Sequence, residues 1–159
     1  MLGASGAANV QTSGVVTLDA ANGVVQSGGS IRAGGLRLLG AGAFDLNLAA
    51  NDIATLAANI TGAASALTYR DANGFAIGTV GATSGIALGT GAANVVTLNG
   101  TGDITFNTAI SAGAATINAG TGNLVNAMVG GTQIDTSAAN GAISLSADRK
   151  STRLNSSHT

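Results

Sequence analysis

The sequence predicts an all-β fold in which short strands wind into a stack of about seven coils. Three observations lead to this prediction. A strand–corner–strand unit occurs four times, apolar residues lie in short β-branched runs, and asparagine and glycine separate those runs. Chains built from repeated units of this kind form stacked architectures in which each unit packs on its neighbours.

The recurring unit joins apolar residues across a corner of small residues. Its four copies occupy residues 18–24, 48–53, 98–104 and 117–124. The tetrapeptide VVTL at residues 15–18 occurs again at residues 95–98. Arg32 and Asp52 lie one quarter of that offset apart in the chain. A period of about 20 residues divides residues 1–147 into about seven coils.

Short strands are predicted wherever Val, Ile, Leu or an aromatic residue alternates with polar residues. They lie at residues 15–18, 24–26, 30–32, 36–39, 44–48, 53–56, 67–69, 75–80, 86–88, 95–98, 104–106, 116–118, 133–135 and 142–145. Asn-Gly pairs at 22–23, 73–74, 99–100 and 140–141 favour sharp corners between them, because Asn and Gly tolerate positive φ.

Three other interpretations of the pattern stay open. An Asn-Gly pair can close an antiparallel hairpin, which would give a β-sandwich or a barrel; the scarcity of charge favours stacked coils instead. Residues 51–67 carry apolar side chains at helical spacing, although their β-branched residues weaken a helix. A disordered low-complexity linker is the third possibility, and a hydrophobic content of 45% argues against it.

The composition of residues 1–147 excludes several kinds of chemistry. This part of the chain has three arginines and six aspartates, a formal charge of −3, and no Lys, His, Glu, Cys, Pro or Trp. Nucleophilic triads and zinc sites need residues that are missing, so we expect no catalytic residue, no metal and no cofactor. Without a basic patch we expect no nucleic-acid partner, and no apolar run is long enough for a transmembrane helix.

The last twelve residues differ from everything before them. Residues 148–158 read DRKSTRLNSSH and resemble one translated frame of a common short-read sequencing adapter. They contain the chain's only lysine, Lys150, and its only histidine, His158. We therefore expect residues 1–147 to be an internal β-helix repeat segment and residues 148–159 to be a non-native, disordered tail. The alternative is a native basic tail that contacts an acidic partner.

The spacing of charged residues points to one candidate binding site. Arg32, Asp52 and Asp71 follow one another at intervals of about 20 residues, so they are expected to stack on one face of neighbouring coils. Tyr69 and Arg70 lie next to Asp71 in the chain. These five residues are the predicted site for a sugar or a cation. The alternative is a solvated Arg–Asp ladder that contributes little to stability.

Three segments resemble the repeats of filamentous-haemagglutinin-type exoproteins, which are adhesins of Gram-negative bacteria. They are GLRLLG at residues 35–40, NDIATLAA at 51–58 and LTYRDANGFAIGTV at 67–80, and the likeness extends loosely over residues 10–147. The resemblance implies a right-handed parallel β-helix that is secreted to the extracellular side of the bacterial cell surface.

The sequence thus predicts the structural shaft of a surface adhesin, without enzymatic activity. Its expected partners are glycans or other molecules on host cells or in a biofilm. Unpaired strand edges at the two ends of a stack predict end-to-end self-association. The competing prediction is a secreted carbohydrate-active β-helix enzyme, a polysaccharide lyase or hydrolase that uses Asp and Arg. The short loops inferred between the strands argue against a walled catalytic cleft.

Overall fold

The structure is a computed structural model that describes residues 10–148. The predicted tail lies outside these residues, except for Asp148. The described part of the chain forms eighteen β-strands and one short 3-10 helix. The strands are β1 (Val10–Gln11), β2 (Val15–Ala20), β3 (Val24–Val25), β4 (Ile31–Gly40), β5 (Ala43–Leu46), β6 (Asp52–Ile60), β7 (Ala66–Arg70), β8 (Phe75–Ile77), β9 (Thr79–Val80), β10 (Thr83–Ser84), β11 (Ile86–Leu88), β12 (Val95–Asn99), β13 (Ile104–Phe106), β14 (Ile110–Ser111), β15 (Ala114–Asn118), β16 (Leu124–Asn126), β17 (Ile134–Asp135) and β18 (Ile143–Ser146), and the helix is Ser137–Ala139.

The strands wind into a parallel β-helix of about six turns. Ten of them, β1, β2, β4, β6, β8, β11, β13, β14, β16 and β17, form the first sheet. Six more, β3, β5, β7, β12, β15 and β18, form the second sheet. Every strand pair in both sheets is parallel, which confirms the stacked interpretation over the sandwich. Strands β9 and β10 belong to neither sheet: they form a small antiparallel hairpin inserted between β8 and β11.

The length of a coil varies along the stack. Val15 pairs with Gly35, whereas Phe75 pairs with Ile104, which lies nearly half as far again along the chain. The longer coils accommodate insertions such as the β9–β10 hairpin, so the described chain makes about six turns instead of the seven predicted from a constant period. The two VVTL copies are also not equivalent: the first lies in β2 of the first sheet and the second in β12 of the second sheet.

Two columns of core-facing side chains run through all six turns. In the second sheet, strand register stacks Val24, Phe44, Leu67, Val96, Ala115 and Ile143, here called the Val24 column. In the first sheet it stacks Leu18, Leu38, Ala58, Ile86, Ile110 and Ile134, here called the Leu18 column. Burial of these apolar side chains is the main source of stability, because the chain has no disulfide.

Residues 52–60 form strand β6, so the helical alternative for residues 51–67 is wrong. Leu56 and Ala58 point into the core, as the period-2 pattern of a strand requires, and Ala57 between them is also buried. The β9–β10 hairpin packs on the outside of β6 and β4 and buries its own Val80 there. Because β6 is covered on both faces, its apolar residues do not alternate cleanly, and the sequence alone mimics a helix.

Glycines at the corners serve two different purposes. Gly23, in the first Asn-Gly pair, has φ of 83°, which is the left-handed conformation predicted for a corner. Gly74, in the second pair, does not have positive φ. A Cβ atom on Gly74 would instead overlap the backbone of Asp103 in the next coil. At this corner glycine is required because two coils approach each other closely.

Candidate binding groove

A shallow, open groove crosses four successive coils on the outer side of the first sheet. It is lined by Gln11, Thr12, Ser13, Arg32, Ala33, Asp52, Ile53, Ala54, Asn73 and Gly74. Strand register aligns the polar residues that cross it: Gln11 pairs with Arg32, and Arg32 pairs with Asp52. Because parallel strands lie about 4.8 Å apart, these side chains form a ladder across the coils. Asn73 lines the groove on the next coil, in the bend before β8. We call Gln11, Arg32, Asp52 and Asn73 together the polar ladder.

The polar ladder offers both hydrogen-bond donors and acceptors to a ligand. Gln11, Arg32 and Asn73 are exposed, and Asp52 is half-buried. Arg32 supplies only donors, Asp52 supplies acceptors when it is ionised, and the two amides supply both. One positive and one negative charge leave the ladder formally neutral. This chemistry suits a polyhydroxylated ligand, whose hydroxyl groups both donate and accept hydrogen bonds.

The structure separates the five residues of the predicted site. It brings Arg32 and Asp52 together in the groove, as register partners in β4 and β6. It places Tyr69 and Asp71 in the interior, where both are 0% exposed. Arg70 is exposed at the end of β7 in the second sheet, where it pairs in register with Asn99, and it does not line the groove.

Asp71 lies in the interior beneath the groove and accepts hydrogen bonds from the backbone of two residues that line it. Its Oδ2 accepts hydrogen bonds from the backbone N–H of Ile53 at 3.0 Å and from the hydroxyl of Tyr69 at 2.6 Å, and its Oδ1 accepts one from the backbone N–H of Asn73 at 2.9 Å. Ile53 and Asn73 both line the groove. The buried carboxylate therefore joins the two coils that carry Ile53 and Asn73.

Burial shifts the pKa values of both members of this pair. Loss of solvation raises the pKa of Asp71 above its ordinary value of 3.8, and the hydrogen bonds from Tyr69, Asn73 and Ile53 oppose that rise. Burial, followed by the nearby negative charge of Asp71, raises the pKa of the Tyr69 phenol far above its ordinary value of 10.0. Tyr69 also packs edge to face on Phe75, with ring centroids 5.2 Å apart.

A second buried polar group, which the sequence interpretation missed, holds the corner beneath the groove. The Asn51 amide makes four hydrogen bonds. Its Oδ1 accepts from the Ile31 backbone N–H at 2.9 Å and from Gln26 Nε2 at 2.8 Å, and its Nδ2 donates to Gln26 Oε1 at 2.8 Å and to the Leu46 carbonyl at 3.0 Å. The available signal was its position next to Asp52, since residues alternate between the inner and outer faces of a coil.

Two members of the polar ladder were also missed. Gln11 precedes Arg32, and Asn73 follows Asp52, by roughly one coil period, so the spacing that related Arg32 to Asp52 extends to both amides. The predicted site contained charged residues and Tyr69, and neither of these amides is charged. Side-chain type, and not spacing, was the reason they were overlooked.

The β9–β10 hairpin lies on the first sheet beside the groove. Val80 packs against Gly35, which lies close to the groove residue Ala33 in β4. Arg37 Nε donates a hydrogen bond to Thr83 Oγ1 at 2.9 Å, which ties the hairpin to β4. The hairpin therefore packs on β4 just beyond the residues of this strand that line the groove.

Within residues 10–148, no group of three or more His, Cys, Asp or Glu side chains is arranged to hold a metal ion. No helix in the same range is long and apolar enough to cross a membrane. Comparison of the chain with protein-family models, with curated proteins and with solved structures finds no significant match to any of them.

Proposed function

We propose that this chain is part of the shaft of a secreted bacterial adhesin at the extracellular face of the cell, with a mechanical and not a catalytic role. The observation that supports this proposal is the unbroken Val24 column, which runs through all six turns from Val24 to Ile143. A shaft needs a core and a hydrogen-bonded ladder that continue from coil to coil, and both are present here.

The axial length of the stack increases by a fixed amount with each turn. Each turn adds about 4.8 Å, so the five intervals between six turns span about 24 Å along the axis. A flexible linker of the same residue count has no fixed length, because its ends move as those of a random coil. The physical advantage of the β-helix is therefore a defined distance between whatever lies at its two ends.

The polar ladder gives the shaft a surface for shallow adhesive contacts. We assign glycans of host cells or of a biofilm as the partner class, because the neutral row of amide, guanidinium and carboxylate groups matches a row of sugar hydroxyls. Gln11, Arg32, Asp52 and Asn73 would each contact a ligand that lies along the stack, across the strands. The groove is open, so we expect weak binding that gains strength when several shafts act together.

A secreted polysaccharide lyase or hydrolase is the second candidate, since the groove places Arg32 beside Asp52. Asp52 is the one carboxylate among the ten residues that line the groove. Glycoside hydrolysis generally uses a pair of carboxylates, so the lining supports binding over hydrolysis. Incubation of the protein with acidic and neutral polysaccharides tests this candidate: release of reducing ends or unsaturated products that Asp52→Asn abolishes would favour the enzyme.

The mechanical role is tested by using the chain as a spacer. It is inserted between a bacterial surface-display anchor and a small reporter domain, and the reporter's access to a ligand fixed on a large bead is measured. The control replaces the chain with a Gly/Ser linker of the same number of residues. We expect the β-helix to give greater and more uniform access. Equal access for the two spacers would contradict the shaft proposal.

The adhesive contact is tested separately on a glycan array with the purified protein. Arg32→Ala and Asp52→Ala should each remove binding that the unchanged protein shows. Asp45→Ala is the matched control, because Asp45 is an exposed aspartate on the second sheet, away from the groove. Binding that survives both groove substitutions, or that Asp45→Ala also removes, would contradict a glycan site at the polar ladder.

A further inference from the structure

We propose that a water molecule binds inside the stack, where it bridges the side chains of Ser65 and Asn94 on two neighbouring coils. Ser65 lies just before β7, and Asn94 lies just before β12. The ligand class is a neutral hydrogen-bonding molecule of the size of water. This inference concerns a corner in the interior of the stack, and it depends neither on the shaft role nor on the adhesive contact.

The two side chains lie one above the other. Leu67 of β7 pairs in register with Val96 of β12. Ser65 and Asn94 each precede these partners by two residues, so the same register stacks one on the other. The sequence repeats in step with this pairing, because residues 61–65 read TGAAS and residues 90–94 read TGAAN.

Both side chains point into the core. Ser65 and Asn94 are 0% exposed, as are Leu67 and Val96 on the same face of the chain. Equivalent side chains of adjacent parallel strands lie about 4.8 Å apart. Ser65 and Asn94 are therefore close neighbours in the interior.

Each of these side chains has an oxygen atom without a hydrogen-bond partner. Among residues 10–148, Ser65 Oγ and Asn94 Oδ1 are buried and neither is paired. Asn94 Nδ2 donates to the Gly62 carbonyl at 2.9 Å, which fixes the end of the amide that carries the unpaired oxygen. Thr108 Oγ1 is another buried atom of this kind, but it lies elsewhere, between β13 and β14. Ordered water is a common partner for such atoms.

The corner at Asn51 shows how a buried asparagine is satisfied. Asn51 and Asn94 both donate their backbone N–H to the carbonyl of the residue three positions earlier, Leu48 or Gly91. Asn51 Oδ1 accepts two hydrogen bonds, one from a backbone N–H and one from a glutamine side chain. Asn94 Oδ1 has Ser65 stacked against it instead, and a water molecule between the two supplies the donor that Asn94 needs.

Glycines leave space beside both unpaired oxygens. A Cβ atom built on Gly91 would lie 3.4 Å from Asn94 Oδ1 and 3.2 Å from the Ala63 carbonyl oxygen, and the next atom would be 3.9 Å away. A Cβ atom built on Gly62 would lie 3.0 Å from Ser65 Oγ. The oxygens therefore border space that no side chain fills, and the Ala63 carbonyl is available as a further acceptor.

One water molecule satisfies this set of groups. It donates to Asn94 Oδ1 and to the Ala63 carbonyl, and it accepts a hydrogen bond from the Ser65 hydroxyl. Two hydrogen bonds of about 2.8 Å each span up to about 5.6 Å, which covers one strand spacing. Three partners are typical of a buried water.

The lining favours water over a metal ion because it is neutral. Neither corner segment, residues 61–65 or 89–94, contains a charged residue. A cation that leaves bulk water needs an opposite charge to offset the loss of its hydration. The site offers none, so a neutral ligand fits it better.

The direction of the stability change in Ser65→Ala tests the bridge in the full chain. If a water pairs with the hydroxyl, the substitution removes a hydrogen bond and should lower the urea midpoint of unfolding. If the hydroxyl has no partner, the substitution removes a costly buried polar atom and should raise the midpoint. Ser144→Ala is the matched control, because Ser144 is exposed on β18 and its loss should leave the midpoint unchanged.

Gly91→Ala tests the site by filling it. Gly91 does not have positive φ, so the new methyl group adds no backbone strain, and it lies next to Asn94 Oδ1 where it displaces the water. In this background Ser65→Ala should raise the urea midpoint, which reverses its effect in the unchanged protein. The two substitutions should therefore be strongly non-additive. Additive effects would overturn the bridge.

Oxygen-17 relaxation dispersion of the solvent counts the water molecules that stay bound for long times. The unchanged protein should show one more such water than Gly91→Ala, and equal counts would overturn the proposal. The urea midpoint should be the same in sodium, potassium and choline chloride at equal ionic strength. A midpoint that rises only with sodium or potassium would assign the site to a cation and would also overturn it. None of these outcomes alters the spacer comparison that tests the shaft.

Discussion

The Tyr69 hydroxyl donates a hydrogen bond to Asp71 Oδ2 at 2.6 Å, and both side chains are fully buried between two coils. Asp71 also accepts hydrogen bonds from the backbone of Ile53 and of Asn73, so the carboxylate joins two neighbouring turns of the helix. A buried carboxylate is costly unless several donors satisfy it, and here three do. The pair therefore links the interior of the stack to the groove on its surface.

Titration of the tyrosine gives the first prediction. Tyr69 is the only tyrosine of the chain, so phenolate absorbance in the near ultraviolet reports on it alone. Because burial and Asp71 raise its pKa well above 10.0, the folded protein should show no phenolate near that pH. The same protein in denaturant should be half ionised near pH 10. A folded-state titration that coincides with the denatured one would contradict burial of the pair.

The pH dependence of stability gives the second prediction. The pKa of Asp71 is raised on folding, so between its ordinary value of 3.8 and its folded value the native state binds more protons than the unfolded state. The free energy of unfolding should therefore fall as pH rises through this window and should level off above it. Exposed Asp135 has a lowered pKa and contributes in the opposite direction, so a reference variant is needed.

That reference is Asp71→Asn, which retains Asp135 and removes the titrating group. Urea unfolding of both proteins across acidic pH should show the stability of the unchanged protein decreasing relative to the variant as pH rises. The comparison cancels Asp135 and every other shared carboxyl group. A difference between the two proteins that is constant with pH would mean that Asp71 does not titrate with a raised pKa.

The third prediction concerns the buried amide of Asn51. In Asn51→Asp the side chain loses both N–H donors, so a carboxylate would face the Leu46 carbonyl inside the corner. We expect the free energy of unfolding to fall by about 3 kcal/mol at neutral pH. Asn47→Asp makes the same change at an exposed position of the same corner and should alter stability by less than about 0.5 kcal/mol. Equal effects in urea unfolding would refute the assigned network.

Close packing of two coils gives the fourth prediction. Gly74→Ala places a methyl group against backbone atoms of Asp103. Backbone atoms in the stack cannot move aside as the end of a flexible side chain can. We expect a loss of about 1–3 kcal/mol in the free energy of unfolding, as for other overpacked sites. Gly14→Ala is the control, because a Cβ there makes only an ordinary contact with Thr12. Equal changes in melting temperature for the two variants would show that the two coils do not approach each other closely at Gly74.

The sequence was sufficient to predict the stacked fold because the strands alternate and the corners are marked by small residues. It was insufficient for the coil count, since insertions such as the β9–β10 hairpin change the length of a turn without changing its register. The repeated VVTL motif wrongly indicated two equivalent positions in a constant repeat. The same alternation serves either sheet, so identical tetrapeptides in β2 and β12 occupy different faces of the helix.

The candidate site was predicted in part. The regular spacing along the chain brought Arg32 and Asp52 together, as their strand pairing shows. The same spacing also grouped them with Asp71, which the structure buries. The alternation of side chains along β7 indicates that Asp71 faces inward. Leu67, Tyr69 and Asp71 share one face of the strand and its extension, and the first two are core residues. A period relates residues along the stack, but only alternation tells which of them face outward.

The most direct test of the account measures distance along one outer column of the second sheet. Val25, Asp45, Thr68, Thr97, Thr116 and Ser144 follow one another in register, one residue to each turn. The chain has no cysteine, so paired cysteine substitutions can carry spin labels at chosen rungs. Electron–electron double resonance should give about 19 Å between labels at 25 and 116, and about 24 Å between labels at 25 and 144. Narrow distributions that lengthen by one strand spacing per turn are the predicted result; broad distances, or distances that do not grow with the number of turns, would contradict a continuous stack.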